Sequence, residues 1–300
     1  MFIKNFLYHR SYFYSIFNQL KMIRKNQRLG YGKIFSIKKI KKFKKSDTLF
    51  VMGSGPSICD MPDNYFNHIA SHDSFGFTNW TMHDHVPTYY MNEFKFKNDE
   101  MIRCAEQELF NLVSKKDLYK DTALIFRAGS TEFNKINRIN ELGMPFENIY
   151  LAMDIGVYGN NIKKFSNSLS FLYKIGILNS NYFLLQKTAS LFRVIIFGYK
   201  LGYEKIVLCG IDLTVDQYFW EKEKNKYKRK PLMFPKLISH RTSSHKTNNI
   251  KESTGGMIIS DIVHTTHKLL LKPKNIKLEV ASDSSFFYPT LNLYDWKKSK

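Results

Sequence analysis

Thr48-Leu49-Phe50-Val51-Met52-Gly53-Ser54-Gly55-Pro56-Ser57 is a five-residue apolar run that breaks into two glycines, a proline and a serine. The run predicts a buried strand, and the break predicts a tight turn at its carboxyl end. Such a turn brings backbone N–H groups close to whatever lies above the strand. A helix starting near Ser57 directs its positive end at the same place, which favours a phosphate. The pattern is shorter than the dinucleotide fingerprint, lacks its third glycine, and has no P-loop lysine. Alone, it leaves two readings open: a nucleotide or phosphate turn, and a strand–turn–helix corner with no ligand.

Strands and helices alternate outward from this stretch. Short apolar runs predict strands over Ser74–Thr78, Thr88–Met91, Thr122–Phe126, Ile149–Ala152, Lys205–Cys209 and Lys277–Ala281. Helical patterns cover Asp99–Val113, Ile162–Lys174, Thr188–Leu201 and Gly256–Leu271. The alternation predicts an α/β fold, a single Rossmann-like domain with a mostly parallel sheet covered on both faces. Ligands of such sheets bind beyond the carboxyl ends of the strands, so informative residues are expected just after strands. From Leu213 to Thr254 the rhythm stops, and roughly 40 residues without a clear period are too many for an ordinary connection. A lid insertion over about 213–254 is expected, with a disordered surface insertion as the alternative.

The chain has 300 residues and a formal net charge of +20. Residues 1–46 hold 13 Lys or Arg and no Asp or Glu, so that segment carries most of the excess. The division expected is a basic aromatic N-terminal arm, 1–46, and a Rossmann-like domain, 47–300. Phe6, Phe13, Phe17, Leu20 and Ile23 recur at helical spacing, with Arg10, Lys21, Arg24 and Lys25 among them. Three readings compete for this helix. It suits an anionic bilayer surface, where each cation contributes about 1 kcal/mol. It also suits packing on its own domain, with Lys38–Lys45 as a solvated linker, or contact with nucleic acid. The three cysteines, Cys59, Cys104 and Cys209, form neither a disulfide framework nor a zinc pattern, and a reducing compartment is expected. No apolar run is long enough to span a bilayer, and no signal peptide is read at the start. The sequon Asn79-Trp80-Thr81 therefore carries little weight.

Four places follow strands: Gly53–Ser57, Asn79, Asn92, and Gly210-Ile211-Asp212. Asparagine offers a donor and an acceptor without charge, which suits a sugar, a base or a ribose. An Asx turn or a helix cap explains either asparagine equally simply. Asp212 reads either as a cap or as an organiser of the site. Asp212 and Asp216 are separated by Leu213-Thr214-Val215, which is not the D-x-D of a metal-using nucleotide-sugar transferase. His264 and His267 lie three apart on a predicted helix, but a third ligand is not evident, so surface histidines are expected there.

Taken together, this order resembles the bacterial sialyltransferases of glycosyltransferase family 42, or a related CMP-nonulosonate or Kdo transferase. The opening turn, Gly53-Ser54-Gly55-Pro56-Ser57, and the segment Leu201–Asp212 carry most of the likeness. The resemblance implies a GT-A-like variant of the fold with a lid, and a donor site built from Gly53, Ser54, Gly55, Ser57, Asn79, Asn92, Thr188, Ser190, Gly210 and Asp212. It implies lid tyrosines on the donor phosphate, Tyr218 and Tyr227, and an acceptor-binding position at Lys187. It also implies a histidine base, His245, with His240 as runner-up. A histidine suits that task because its ordinary pKa of about 6.5 lies near working pH. Ser54 stands where the family has asparagine, Thr214 where it has its first tyrosine, and Lys187 where it has arginine.

The activity implied is inverting transfer of sialic acid or a related nonulosonic acid from a CMP donor to a cell-surface glycan such as lipooligosaccharide or capsule. No metal or other cofactor is required. The partners expected are the CMP-nonulosonate donor, a glycan or lipid-linked glycan acceptor, and an anionic membrane reached through residues 1–46. Nucleic acid is not expected, and a homo-oligomer is allowed. The location implied is cytoplasmic and peripheral on the inner membrane. The alternative is a non-catalytic nucleic-acid- or membrane-binding protein on a Rossmann-like scaffold. A methyltransferase or kinase-like reading has against it the missing P-loop lysine and the lack of an acidic residue ending the second strand.

Overall fold

The computed structural model describes residues 2–92, 99–127, 146–213, 217–223, 246–248 and 256–299. Its strands are β1 (Lys33–Ile34), β2 (Thr48–Met52), β3 (Asp73–Phe77), β4 (Tyr89–Asn92), β5 (Ala123–Arg127), β6 (Ile149–Gly156), β7 (Phe183–Gln186), β8 (Lys205–Cys209), β9 (Lys277–Val280) and β10 (Asn292–Leu293). Its helices are α1 (Phe2–Arg28), α2 (Ile37–Ile40), α3 (Asp63–Ala70), α4 (Asp99–Ser114), α5 (Ile162–Lys174), α6 (Ser190–Leu201), α7 (Phe219–Lys222) and α8 (Ile259–Thr266).

The strands lie in the order β1-β6-β5-β4-β3-β2-β8-β9-β10, with β7 paired to β6. All the described strand pairs are parallel. From β2 the chain winds through β3, β4 and β5 to β6, then returns to the other side of β2 with β8. The direction of winding therefore reverses between β2 and β8. In parallel sheets, such a reversal is the usual place for a ligand crevice beyond the carboxyl ends of the strands.

Parallel strands buried on both faces are apolar on both, and β2 obeys this. Leu49 and Val51 face one core with Phe75, Ile206, Leu208 and α6. Phe50 and Met52 face the other with Ile58, Ile69, Trp80 and Val207. α6 packs closely because Gly198 lies against Leu49 and Ile206. The helix stops at Gly202, whose φ of +71° reverses the chain into β8.

The N-terminal segment is built into this fold. α1 lies along β6, with Ile23 and Asn26 buried, while Tyr14, Phe17, Lys21, Arg24, Lys25 and Arg28 face outward. Gln19 exchanges two hydrogen bonds with the backbone of Asp154 in β6, at 2.6 and 2.7 Å. The run Lys38–Lys45 is not a solvated linker. Ile37, Ile40 and Phe43, spaced by three, are buried beneath its lysines.

Several boundaries differ from expectation. β6 runs to Gly156, and β1, β7, β10 and α3 were not expected. α6 begins at Ser190 because Thr188 has a φ of +52°, which no helix accommodates. The expected helix Gly256–Leu271 starts at Ile259 and widens into a π turn over His267–Leu271. Of the lid expected over 213–254, Leu213, residues 217–223, with α7, and the single turn Lys246–Asn248 are described.

Two glycines separate backbone strain from crowding. A Cβ at Gly202 meets nothing within 4 Å. At Gly210, with φ of +63°, it would lie 2.5 Å from Ile58 and 2.8 Å from the Gly53 carbonyl oxygen. Gly202→Ala is expected to cost about 1 kcal/mol and Gly210→Ala at least about 2 kcal/mol. Urea unfolding of the two variants checks the order; equal losses would contradict it.

Candidate functional site

Two glycine corners meet at the winding reversal. The Gly53 N–H donates to the Cys209 carbonyl oxygen at 2.7 Å, and the Gly55 N–H to the Gly210 carbonyl oxygen at 2.8 Å. A side chain at Gly53 or Gly55 would collide with Gly210 or Asp212, so the approach itself requires glycine. Asp212 is buried, and its carboxylate accepts from the Ser57 N–H at 2.9 Å and the Ser57 hydroxyl at 2.6 Å. Burial pushes the Asp212 carboxyl up, and the two bonds from Ser57 oppose that shift. The predicted helix at Ser57 is a single 3-10 turn, Pro56–Asp60. Its Ser57 N–H, read from sequence as open to a phosphate, is occupied by this carboxylate. Three of the corner's N–H groups are thus satisfied within the protein, and Pro56 has none.

The start of α7, at Tyr218, is tied to the first corner. This tyrosine caps α7, stacks on Trp220 with ring centroids 4.6 Å apart, and precedes Phe219, whose N–H donates to the Ser54 carbonyl oxygen at 3.0 Å. From the other side, Phe286 N–H donates to the Asp212 carbonyl oxygen at 3.1 Å and the Ser285 hydroxyl to that of Ile211 at 2.9 Å.

Asn79 and Asn92 follow the next two strands. Asn79 lies in the 3-10 turn Thr78–Met82 after β3, and its side-chain amide oxygen, Oδ1, is buried with no hydrogen-bond partner among the described residues. Asn92 ends β4, is buried, and donates its amide to Glu108 of α4 and to the Tyr90 hydroxyl. Adjacent strands lie about 4.8 Å apart, so the ends of β8, β2, β3 and β4 span roughly 14 Å.

Lys187, Thr188 and Ser190 occupy the turn from β7 into α6. The Lys187 ammonium donates to the Gly159 carbonyl oxygen at 2.5 Å, and burial pulls its pKa down. The Thr188 hydroxyl donates to the Met257 carbonyl oxygen at 3.4 Å. Positive φ at Thr188, a β-branched residue, and at Leu213, φ +56°, places two strained backbones at this pole. Such strain concentrates at functional sites.

The group that joins these parts was not read from the sequence. Asp154 in β6 accepts from Arg193 of α6 at 2.9 Å and pairs with Arg127 of β5. Arg127 also donates to Gln186 of β7 at 2.6 Å. Arg193 is 1% exposed and reaches the Met91 sulfur at 3.9 Å, beside Asn92. The first turn of α6 is thereby held over the end of β4. One signal was available: Arg193 interrupts the apolar run Leu191–Phe197, and a charge there needs a buried partner.

Tyr227, His240 and His245 lie outside the described residues, as does Asp216. His264 and His267 are half-buried on α8 and the turn after it, and burial lowers the pKa of both. No group of three metal-ligating side chains is found among the described residues. No helix among them is long and apolar enough to cross a membrane.

No family model matches the chain, and no curated protein matches it. Two solved structures are similar in outline. The crystal structure of the monofunctional α-2,3-sialyltransferase Cst-I from Campylobacter jejuni shares 15% identity over 83% of this chain and 80% of that one, with a TM-score of 0.47. The apo form of an α-2,3-sialyltransferase from Campylobacter jejuni shares 14% over the same proportions, with a TM-score of 0.41.

Removing Asp154 takes the carboxylate from a fully buried guanidinium, whereas removing Arg127 leaves the Arg193–Asp154 pair intact. Asp154→Ala is expected to cost about 3–5 kcal/mol and Arg127→Met less than about 2 kcal/mol. Chemical denaturation of both variants checks this, and an Arg127→Met loss as large as that of Asp154→Ala would contradict it.

Proposed function

We propose that the chain is an inverting glycosyltransferase. It moves sialic acid or a related nonulosonic acid from a CMP donor to a lipid-linked or lipooligosaccharide glycan at the cytoplasmic face of a bacterial membrane. The observation that carries this reading is the Asn79 side-chain amide oxygen, buried and without a hydrogen-bond partner among the described residues, beside the winding reversal. Such an oxygen costs about 1–3 kcal/mol unless a ligand supplies a donor. A ribose hydroxyl or the exocyclic amine of cytosine is a donor of that kind. Support also comes from the sequence order of glycine corners, asparagines and hydroxyls described above.

In this reading the acceptor hydroxyl attacks the anomeric carbon from the face opposite CMP. The new C–O bond forms as the bond to the phosphate oxygen breaks, and CMP departs with that electron pair. His245 takes the proton from the acceptor. Tyr218 and Tyr227 donate to the leaving phosphate, a role that preorganised hydroxyls fill without a metal. Thr188 and Ser190 hold the donor from the α6 side, and Lys187 faces the acceptor.

The outward stripe of α1 supports the membrane part of the proposal. Tyr14 and Phe17 are 71% and 67% exposed, next to Lys21, Arg24, Lys25 and Arg28 on the same side. That combination suits an anionic bilayer and keeps the enzyme beside a lipid-bound acceptor.

CMP is expected to raise the melting temperature of the wild type and not of Asn79→Ala, and single-stranded RNA at physiological salt is expected to do nothing. With the matching CMP-sugar, His245→Ala should lose at least about a hundredfold in turnover while keeping its CMP shift. An RNA shift without a CMP shift would reject the enzyme reading, and near-normal turnover of His245→Ala would reject the base. Wild-type chain should sediment with vesicles containing anionic lipid and not with neutral ones. Phe17→Ser combined with Lys21→Glu and Arg24→Glu is expected to weaken that binding at least about tenfold. Unchanged sedimentation would remove α1 from the membrane contact.

A further inference from the structure

A cleft of about 650 Å³ opens at the amino ends of the strands, the pole opposite the glycine corners. It is walled by the loop 178–181 between α5 and β7, by Tyr199 and Lys200 in the last turn of α6, by 202–204, and by 274–276 before β9. Its size lies within the range of small-molecule sites, with room for a sugar and its water. α6 runs between the two poles, with Arg193 at one end and Lys200 at the other.

Lys200 sets the chemistry. Its ammonium donates to the Phe183 carbonyl oxygen at 2.6 Å, and no carboxylate pairs with it among the described residues. An ammonium has three donors, so two remain for a ligand. Burial pulls its pKa down to about 7. The other charged groups lining the cleft are Glu204 and Lys274, both exposed. Lys44, paired with Asp47, sits beyond them on the Gly202 carbonyl oxygen. Burial pushes the Tyr199 and Tyr203 phenols up, so both stay neutral near pH 7. Asn179, Ser180 and Asn181 bring amides and a hydroxyl to the mouth.

We propose that this cleft is a second small-molecule site, for a sugar-sized oxyanion such as a sugar acid or a sugar phosphate. Lys200 holds the anionic group, and the polar loop 179–181 takes the hydroxyls. The bound anion supplies the partner that the buried ammonium lacks, so binding and protonation of Lys200 are linked.

Titration calorimetry on the full chain tests this, with glucuronate and glucose 6-phosphate as probes and glucose as the uncharged control. Glucuronate stays ionised throughout the range, so a change with pH reports the protein. Its affinity is expected to fall roughly thirtyfold between pH 6 and pH 8.5 as Lys200 loses its proton. Binding of glucose 6-phosphate alone would assign the site to phosphates rather than carboxylates. Lys200→Met keeps the apolar stem and should abolish binding. Asn179→Leu, on the exposed loop, should weaken it about tenfold or more without touching α6. Asn79→Ala, at the opposite pole, should leave it unchanged, which separates this site from the nucleotide reading. The proposal is overturned if neither oxyanion binds at millimolar concentration at pH 6, if Lys200→Met binds like wild type, or if affinity is flat with pH.

Discussion

The Asp154 carboxylate is the constraint on which the carboxyl pole of the sheet depends. It sits in β6 with 6% of its side chain exposed and pairs with two guanidiniums. Its backbone is tied to α1 through Gln19, and Arg127 extends the network to β7 through Gln186. Isolated charges are not tolerated at such burial, so the Arg193 guanidinium and the Asp154 carboxylate each need the other in place. The consequence is geometric. With Arg193 drawn to Asp154, the first turn of α6 lies over the end of β4, and Lys187, Thr188 and Ser190 come to the edge that carries Asn92. A fully apolar α6 would pack on the sheet as well and would have no reason to stop there.

The winding reversal between β2 and β8 is occupied by protein rather than left open. The two glycine corners bond to each other, and Asp212 takes the N–H group at the start of the Pro56–Asp60 turn. Any ligand in this region therefore sits on the neighbouring positions: the Ser54 side chain, the Asn79 side-chain oxygen, and the turn into α6. Neutral groups of that kind suit hydroxyls and base edges. The glycine corners are thus a frame that holds the site in shape.

Much of the framework was legible because it is written locally. β2 and β8 matched their expected bounds, Thr48–Met52 and Lys205–Cys209, since a short apolar run ending in glycine admits few other readings. α5 matched as well, with Asn161 capping the Lys164 N–H. What escaped depends on distant partners. β1 and β10 have two residues each, too few to show a period. The lysines of 38–45 hid Ile37, Ile40 and Phe43, whose spacing of three marks a buried stripe. The role of Asp212 toward Ser57 joins residues 155 apart, and that of Asp154 toward Arg193 joins a strand to a helix three elements later. No local pattern encodes either pairing, although an arginine within an apolar helix is itself a sign that a buried carboxylate waits elsewhere.

The proposed occupant of the carboxyl edge of the sheet, between the glycine corners and the start of α6, is a cytidine nucleotide. A crystal structure of the chain grown with CMP addresses it most directly. The nucleotide is expected across the ends of β2, β3 and β4, with a base or ribose donor within hydrogen-bond distance of the Asn79 side-chain oxygen. A nucleotide lodged at the amino pole, or one at the carboxyl edge that leaves that oxygen unbonded, would contradict it.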